Sequence, residues 1–230
     1  MDRELIVLAG GLGTRLRERV PDLPKCMAPV HGKPFIDYVM AHFLSQGVER
    51  FIFALGYQSD VAYEYLLEKY SQYQLKFSIE REPLGTGGAI GRAAEMVAAE
   101  NVLVTNGDTL FKCNIQALAA VHHQAHAECT LALKPMRDFE RFGAVEANAN
   151  GRIVSFQEKR HHIDGCVNAG VYLLNVKKFL NRDLGTRFSF EKDYLERFVQ
   201  AGPFFASVQD AYFIDMGVPA DYDRAEKELK

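Results

Sequence analysis

The sequence carries no excess charge of either sign: 27 Lys and Arg stand against 30 Asp and Glu, a formal charge of −3. The global attraction that gathers basic proteins on polyanions is therefore missing. Neither nucleic acid nor a membrane surface is an expected partner, and any phosphate site must be local. Long apolar runs are also lacking, since stretches such as Leu5 to Ala9 and Phe51 to Leu55 fall far short of the ~20 residues a membrane span needs. The opening Met-Asp-Arg-Glu enters a short apolar run without the longer apolar core and cleavage site of a signal peptide, so the expected compartment is the cytoplasm. Cysteine is sparse: Cys26, Cys113, Cys129 and Cys166 lie far apart with no Cys-x-x-Cys pair, which signals buried thiols rather than a zinc cluster or disulfide framework. No repeat of solenoid period and no Pro/Ser-rich linker divides the chain.

What is present is an ordinary globular composition, 48% hydrophobic over 230 residues, suited to one elaborated domain. Apolar runs recur at Leu5 to Ala9, Phe51 to Leu55, Val102 to Thr105, Thr130 to Leu133 and Val171 to Leu174, with helical patterns between them. Fully apolar strands separated by helices imply an α/β fold with a mostly parallel sheet covered on both faces. Phe35, Ile36, Val39, Met40, Phe43 and Leu44 have helical spacing, with Pro34 suited to the first turn and Gly47 to the stop. Further helices are expected from near Asp60, after the glycines at 85–88, and after Asn114 as N-cap. Beyond about residue 127 the pattern becomes mixed. Gly143 to Val145 and Ile153 to Phe156 flank an Asn-Ala-Asn-Gly turn, which predicts a hairpin, Ser189 caps a helix stopped by Gly202, and 221–230 reads as a terminal helix.

The first apolar run passes directly into Leu8-Ala9-Gly10-Gly11-Leu12-Gly13-Thr14-Arg15. Glycines at the carboxyl end of a parallel strand let backbone N–H groups approach an anion, and phosphate fits this place. The dinucleotide pattern Gly-x-Gly-x-x-Gly would need a third glycine where Leu16 stands, and no Gly-Lys-Ser/Thr closes a Walker A loop. Then comes Pro24-Lys25-Cys26-Met27-Ala28-Pro29, in which prolines on both sides stiffen the segment around one ammonium.

Taken together, Gly10-Gly11-Leu12-Gly13-Thr14-Arg15-Leu16, Pro24-Lys25-Cys26-Met27-Ala28-Pro29 and Lys33-Pro34 resemble the signature of the sugar-1-phosphate nucleotidyltransferases. Within that family the likeness is to the guanylyltransferases acting on D-glycero-α-D-manno-heptose 1-phosphate, with Cys26 where a proline is common. The resemblance implies a Rossmann-like core with a mostly parallel, mixed central sheet flanked by helices. It implies one domain, 1–230, with a nucleotide-binding half to about residue 127 and a sugar-phosphate-binding half from 128. Leu8, Ala9, Gly10, Gly11, Gly13 and Thr14 would wrap the nucleoside triphosphate, Arg15 would meet its phosphates, and Lys25 would contact the reacting groups. Asn106 and Gly107 belong to the same nucleotide site.

The segment from Glu80 to Ala89 resembles the family's second glycine motif, in which Gly85, Thr86 and Gly88 pack against the base. Glu80 offers two acceptors to the adjacent N1–H and N2–H of guanine, which uracil and thymine cannot match as a pair, so GTP is the favoured nucleotide. Asp108 ends a buried strand, and Asp215 follows an aromatic run. They resemble the family's two metal-binding aspartates, and Mg²⁺ needs only one or two carboxylates besides substrate phosphates. Gly143, Glu158, Lys159, Asn168 and Gly170 resemble the part that holds the sugar 1-phosphate: Glu158 and Asn168 suit hydroxyls, Lys159 suits phosphate, and the glycines leave room.

Other substrates stay open: mannose 1-phosphate with GTP, or a hexose 1-phosphate with UTP or dTTP. So does a nucleotide-sugar sensor that has kept the pocket, although such a protein would be expected to lose some of Arg15, Lys25, Asp108 and Asp215. A small homo-oligomer suits the fold. His122, His123 and His126 share a helix face without a supporting cluster and are expected to be solvated.

Overall fold

The computed structural model describes residues 3–11, 20 and 23–229, and in it every one of the apolar runs lies within a strand of a single seven-stranded sheet. The chain runs through β1 (Glu4–Ala9), a 3-10 turn (Lys25–Met27), short strands β2 (Pro29–Val30) and β3 (Lys33–Pro34), α1 (Phe35–Ser45), β4 (Arg50–Leu55), α2 (Ser59–Tyr70), β5 (Gln74–Ile79) and α3 (Gly85–Ala94). Next come β6 (Asn101–Asn106), β7 (Thr109–Phe111), α4 (Ile115–Gln124), β8 (Cys129–Phe139), β9 (Val145–Ala147), β10 (Ile153–Phe156), β11 (His162–Asn175) and α5 (Val176–Leu180). A π-helical segment (Phe190–Glu196), β12 (Phe204–Val208), β13 (Phe213–Asp215) and α6 (Pro219–Glu228) follow.

The sheet order is β12-β8-β11-β6-β1-β4-β5. Only β11 opposes its neighbours, so the sheet is mixed and mostly parallel. The period-2 geometry of a strand sorts each apolar run between two cores. Leu5, Val7, Phe51, Phe53 and Leu103 face one cluster with Phe35, Val39, Met40 and Phe43 of α1. Ile6, Ile52, Val102 and Val104 face the other, with Ile90 of α3, Phe179 of α5 and Tyr194 of the π-segment. Burial on both faces is why these strands carry no polar alternation. The edge strand β5 does alternate between exposed and covered positions, and the apolar-run pattern passes over it.

Local signals place several boundaries. Asn114 caps α4, its Oδ1 accepting from Gln116 N at 2.9 Å and Ala117 N at 3.0 Å. Gly47, at φ +83°, follows the end of α1, while Pro34 occupies the N-cap rather than the first turn. In the β9–β10 hairpin, Asn148 Oδ1 accepts from Asn150 N and Arg152 N, and Gly151 takes φ +76°.

Two further expectations need correction. The glycines at 85–88 lie inside α3 instead of before it. Each costs about 1 kcal/mol of helix propensity, but the turn is tied from outside: Gly87 N and Gly88 N donate to Phe188 O, and Leu84 N donates to the Glu80 carboxylate at 3.0 Å. His122 is buried, at 2% exposure, and not solvated. α4 turns it onto the sheet, where Nδ1 meets Thr130 Oγ1 at 2.9 Å and Nε2 meets Asn101 Oδ1 at 3.1 Å, so its polar atoms are satisfied.

Three features of this layout position a site. The strand order reverses between β1 and β6, and ligands of open α/β sheets bind beyond the carboxyl ends of strands at such a switch point. Gly107 N donates to Leu8 O at 2.8 Å and fastens the two exits together. The antiparallel pair β7–β13 sets Thr109 opposite Asp215, which brings the carboxylates of residues 108 and 215 to one place. Finally, β8 and β11 stay paired from Leu174 and Cys129 out to His162 and Phe139, with a register shift between Asn168 and Val171 beside the end of β6.

Candidate active site

Two cavities open at the switch point, of about 510 Å³ and 720 Å³. They share Gly11, Asn106 and Asp108, so whatever fills one abuts whatever fills the other. The first collects Leu8, Gly10, Glu80, Gly85 and Thr86. The second collects Lys25, Lys159, Asn168, Gly170 and Asp215. Sequence-predicted residues of the nucleotide set and of the sugar-phosphate set thus fall into separate, touching cavities.

At the junction, the 3-10 turn, closed by Met27 N donating to Pro24 O at 2.8 Å, presents Lys25. Its ammonium pairs with Asp108 and stands 4.0 Å from Asp215 Oδ1. Arg141 lies on the far side, with Nη2 3.8 Å from Asp215 Oδ2 and Nη1 paired with Asp221. Gly217 N donates to Asp215 Oδ1 at 2.9 Å. Burial, then the neighbouring Asp108 charge, holds the Asp215 carboxyl above the usual aspartate range, against the pull of Lys25, Arg141 and the Gly217 N–H. Two carboxylates and a lysine convergent in a concavity can neutralise phosphate and hold a hard cation. Cys26, next to Lys25, is no nucleophile: burial first and Asp108 second push its thiol up to about 12.

Several predicted residues lie elsewhere. Ala9 is buried and lines neither cavity. Gly88 is buried on the other side of α3, where a Cβ would collide with the carbonyl of Thr186, so its smallness admits backbone rather than a flat base. Gly107 serves the same purpose against Leu8. Gly143 packs on the carbonyl of Gln157, and Glu158 is exposed outside the second cavity. Gly13, Thr14 and Arg15 lie outside the described residues. Gly170 needs its glycine: φ is +72°, and an added Cβ would stand 2.6 Å from Asn106 Nδ2.

The cavities also hold residues that sequence reasoning did not single out: Tyr57 in the first, and Arg141, Phe213 and Glu191 in the second. Arg141 stacks over Phe142 at 5.3 Å, beside a segment already read as part of the site. Glu191 had one signal, its place two residues after a helix-capping serine, Ser189.

Paired cavities that share one carboxylate, with a lysine and a second carboxylate beside it in the second cavity, suit a reaction in which two phosphorylated substrates meet end to end. Comparison with known proteins agrees: the chain belongs to the nucleotidyl transferase family, whose model matches residues 4–230. More narrowly, it is 44% identical to a D-glycero-α-D-manno-heptose 1-phosphate guanylyltransferase of Aneurinibacillus thermoaerophilus, across 99% of this chain and 98% of that protein. A protein of the same description from Campylobacter jejuni is 39% identical, across 95% of this chain and 96% of its own length. The crystal structure of HddC from Yersinia pseudotuberculosis complexed with GMP-PN superposes with a TM-score of 0.88 at 34% identity, covering 99% of this chain and 100% of that one.

Proposed function

We propose that the protein joins GTP to D-glycero-α-D-manno-heptose 1-phosphate, giving GDP-heptose, a building block for cell-surface polysaccharide, and pyrophosphate. The observation that carries this reading is the full-length identity of 44% to a guanylyltransferase of that specificity. The touching cavities supply its physical basis: GTP fills the first, with its base toward Glu80, and the sugar phosphate fills the second. GTP is made and kept in the cytoplasm, which is where such an enzyme works.

In this reading a sugar phosphate oxygen attacks the α-phosphorus of GTP, and pyrophosphate leaves. A phosphate monoester has its second pKa near ~6, so the nucleophile is largely ionised at neutral pH and no general base is needed. The chain supplies alignment and charge. Lys25 lies where the substrates meet, free to turn from Asp108 to the crowded phosphates, and Lys159 steadies the sugar phosphate. Arg15 completes the charge neutralisation on the leaving pyrophosphate.

The donor set suits Mg²⁺. Asp108 and Asp215 converge closely enough for one to raise the pKa of the other, and hard cations take such oxygens while leaving positions for phosphate. Among the described residues no third acidic, His or Cys ligand joins them. Bound there, Mg²⁺ would offset the charge of the triphosphate.

Pyrophosphate release from a grid of nucleoside triphosphates and sugar 1-phosphates, with Mg²⁺, tests the assignment. Release with GTP and heptose 1-phosphate, at least tenfold above any other pair, is the expected result. Preference for UTP or dTTP would overturn the guanine assignment, and silence across the grid would overturn the enzymatic one.

A further inference from the structure

Another cavity, of about 460 Å³, opens between α3, α5 and the segment 182–188. It shares no residue with the two cavities of the active site. Its size and make-up are those of a small-molecule site, with Leu84, Phe179, Leu184 and Phe188 as apolar walls and a few charged groups among them.

Gly91 lines this cavity, and nothing in the chain requires a glycine there. It lies inside α3, where glycine is the poorest residue short of proline. Its φ lies outside the left-handed range, and an added Cβ would meet nothing within 4 Å. Gly87 and Gly88 of the same helix differ, because Phe188 and Thr186 press against them. The space over Gly91 is thus kept open at a cost in helix stability, which points to an occupant from outside the chain.

The charged groups say what that occupant carries. Arg92 borders the cavity, is exposed, and has no hydrogen bond or ion pair from its guanidinium among the described residues. Arg182, the other guanidinium there, is already committed to Glu128 through Nε at 2.9 Å and Nη2 at 2.6 Å. Glu95 borders the cavity as well, its carboxylate also unpartnered among the described residues. A free guanidinium holds a compact anion through paired N–H groups, and a free carboxylate accepts from one N–H or O–H. The rings of Phe179 and Phe188, with centroids 6.2 Å apart, suit a flat apolar body.

We infer that this cavity binds a small aromatic anion bearing a hydrogen-bond donor, and that its occupant strengthens nucleotide binding in the first cavity. The second part rests on reading the first cavity as the GTP site. Both cavities back onto one turn of helix. Phe188 N donates to Leu84 O at 3.0 Å, and Gly87 N and Gly88 N donate to Phe188 O, so the segment and the helix start move together. On the nucleotide side, Leu84 N donates to the Glu80 carboxylate at 3.0 Å, while Gly85 and Thr86 line the first cavity. A molecule seated between Phe188 and α3 holds this turn in the arrangement that the nucleotide meets. Linkage makes the effect mutual, each ligand tightening the other by the same factor.

The test uses anilinonaphthalene sulfonate, which joins a flat apolar body to one sulfonate and one N–H and fluoresces on leaving water. Titrated into the full chain, it is expected to bind saturably. Gly91→Leu puts a side chain where the probe lies and should weaken binding at least about tenfold. Because leucine is the better helix former, Tm should hold or rise, which separates lost binding from lost fold. Arg92→Gln removes a charged hydrogen-bond donor and should cost about tenfold or more. No binding to the wild type, or binding that neither variant weakens, overturns the site.

Saturating GTP with Mg²⁺ and no sugar phosphate should tighten probe binding by about fivefold or more, the lower end of ordinary coupling. Calorimetric titration of GTP should show the same factor when the probe is present. Weaker probe binding in GTP places the probe in the nucleotide cavity and overturns the proposal, and an unchanged constant overturns the coupling. A chain that binds the probe through Gly91 and Arg92 but does not bind GTP upholds the site and refutes the nucleotide reading instead.

Discussion

Replacing Gly170 by Ala asks whether Asn106 truly stands between the two substrates. Two costs are superimposed at this position. The backbone has φ +72°, a conformation that costs an L-residue about 1–2 kcal/mol. In a chain of 230 residues each kcal/mol lowers Tm by about 2–4 °C, so a fall of roughly 2–8 °C is expected. The second cost is steric: the new methyl would lie 2.6 Å from Asn106 Nδ2, against an ordinary contact near ~3.5 Å. The amide must yield by about 1 Å, and a misplacement of that size in a positioning group can cost on the order of 10²-fold in rate. Gly151→Ala separates the effects. Its φ of +76° imposes the same strain, but the nearest atom, Ala206 O, is 3.6 Å away, and the turn is remote from both cavities. Differential scanning calorimetry should show similar falls in Tm for the two variants. Pyrophosphate-release kinetics should show a large loss of kcat/KM in Gly170→Ala alone. Equal kcat/KM in the two would refute the placement of Asn106 between the substrates.

Lys25→Met should cut turnover at least 10²-fold, yet bind Mn²⁺ about tenfold more tightly without nucleotide. The ammonium that pairs with Asp108 and stands 4.0 Å from Asp215 no longer competes with the ion; titration followed by electron paramagnetic resonance reads this, and unchanged or weaker affinity counts against a shared site. Asp215→Asn should inactivate the enzyme while raising its Tm at neutral pH. The folded-state pKa of Asp215 lies above the unfolded value, so its charge opposes folding once pH exceeds the folded pKa, and the gain should vanish as pH falls below the ordinary carboxylate range. A gain that persists at acid pH refutes that sign. Arg182→Met should cost about 3–5 kcal/mol in urea unfolding, because Glu128, 3% exposed, loses its bonds from Nε at 2.9 Å and Nη2 at 2.6 Å. KM for both substrates should stay unchanged, since neither residue lines a cavity of the site.

The parts of this molecule that could be read from the chain are those in which neighbours in sequence act together. The apolar runs, the Asn114 cap and the Asn148 to Gly151 turn are local chemistry, and each appears where the residues point. The residues near Lys25 were legible because stiff proline spacing stands out from its surroundings. Harder to read was the direction in which a side chain leaves the backbone. Gly85 and Gly88 are three residues apart on one helix and both pack against the segment 186–188, more than ninety residues later in the chain, yet only the first also lines a cavity of the site. Glu158 and Glu191 are alike in type, and only the fold of β11 against the π-segment decides which of them reaches the second cavity. His122 was misjudged for the same reason: its partners, Asn101 and Thr130, come from strands that a helical wheel of α4 does not show.

The pairing of β7 with β13 has a consequence for the order of folding. Asp108 follows β6, a central member of the seven-stranded sheet, but Asp215 lies on a strand that follows every member of that sheet in chain order. The sheet does not include β7 or β13, so all seven of its strands can be paired while the two carboxylates are still apart. Their meeting depends on the small β7–β13 ladder alone, which makes that ladder the place where the carboxylate pair can be lost without loss of the sheet.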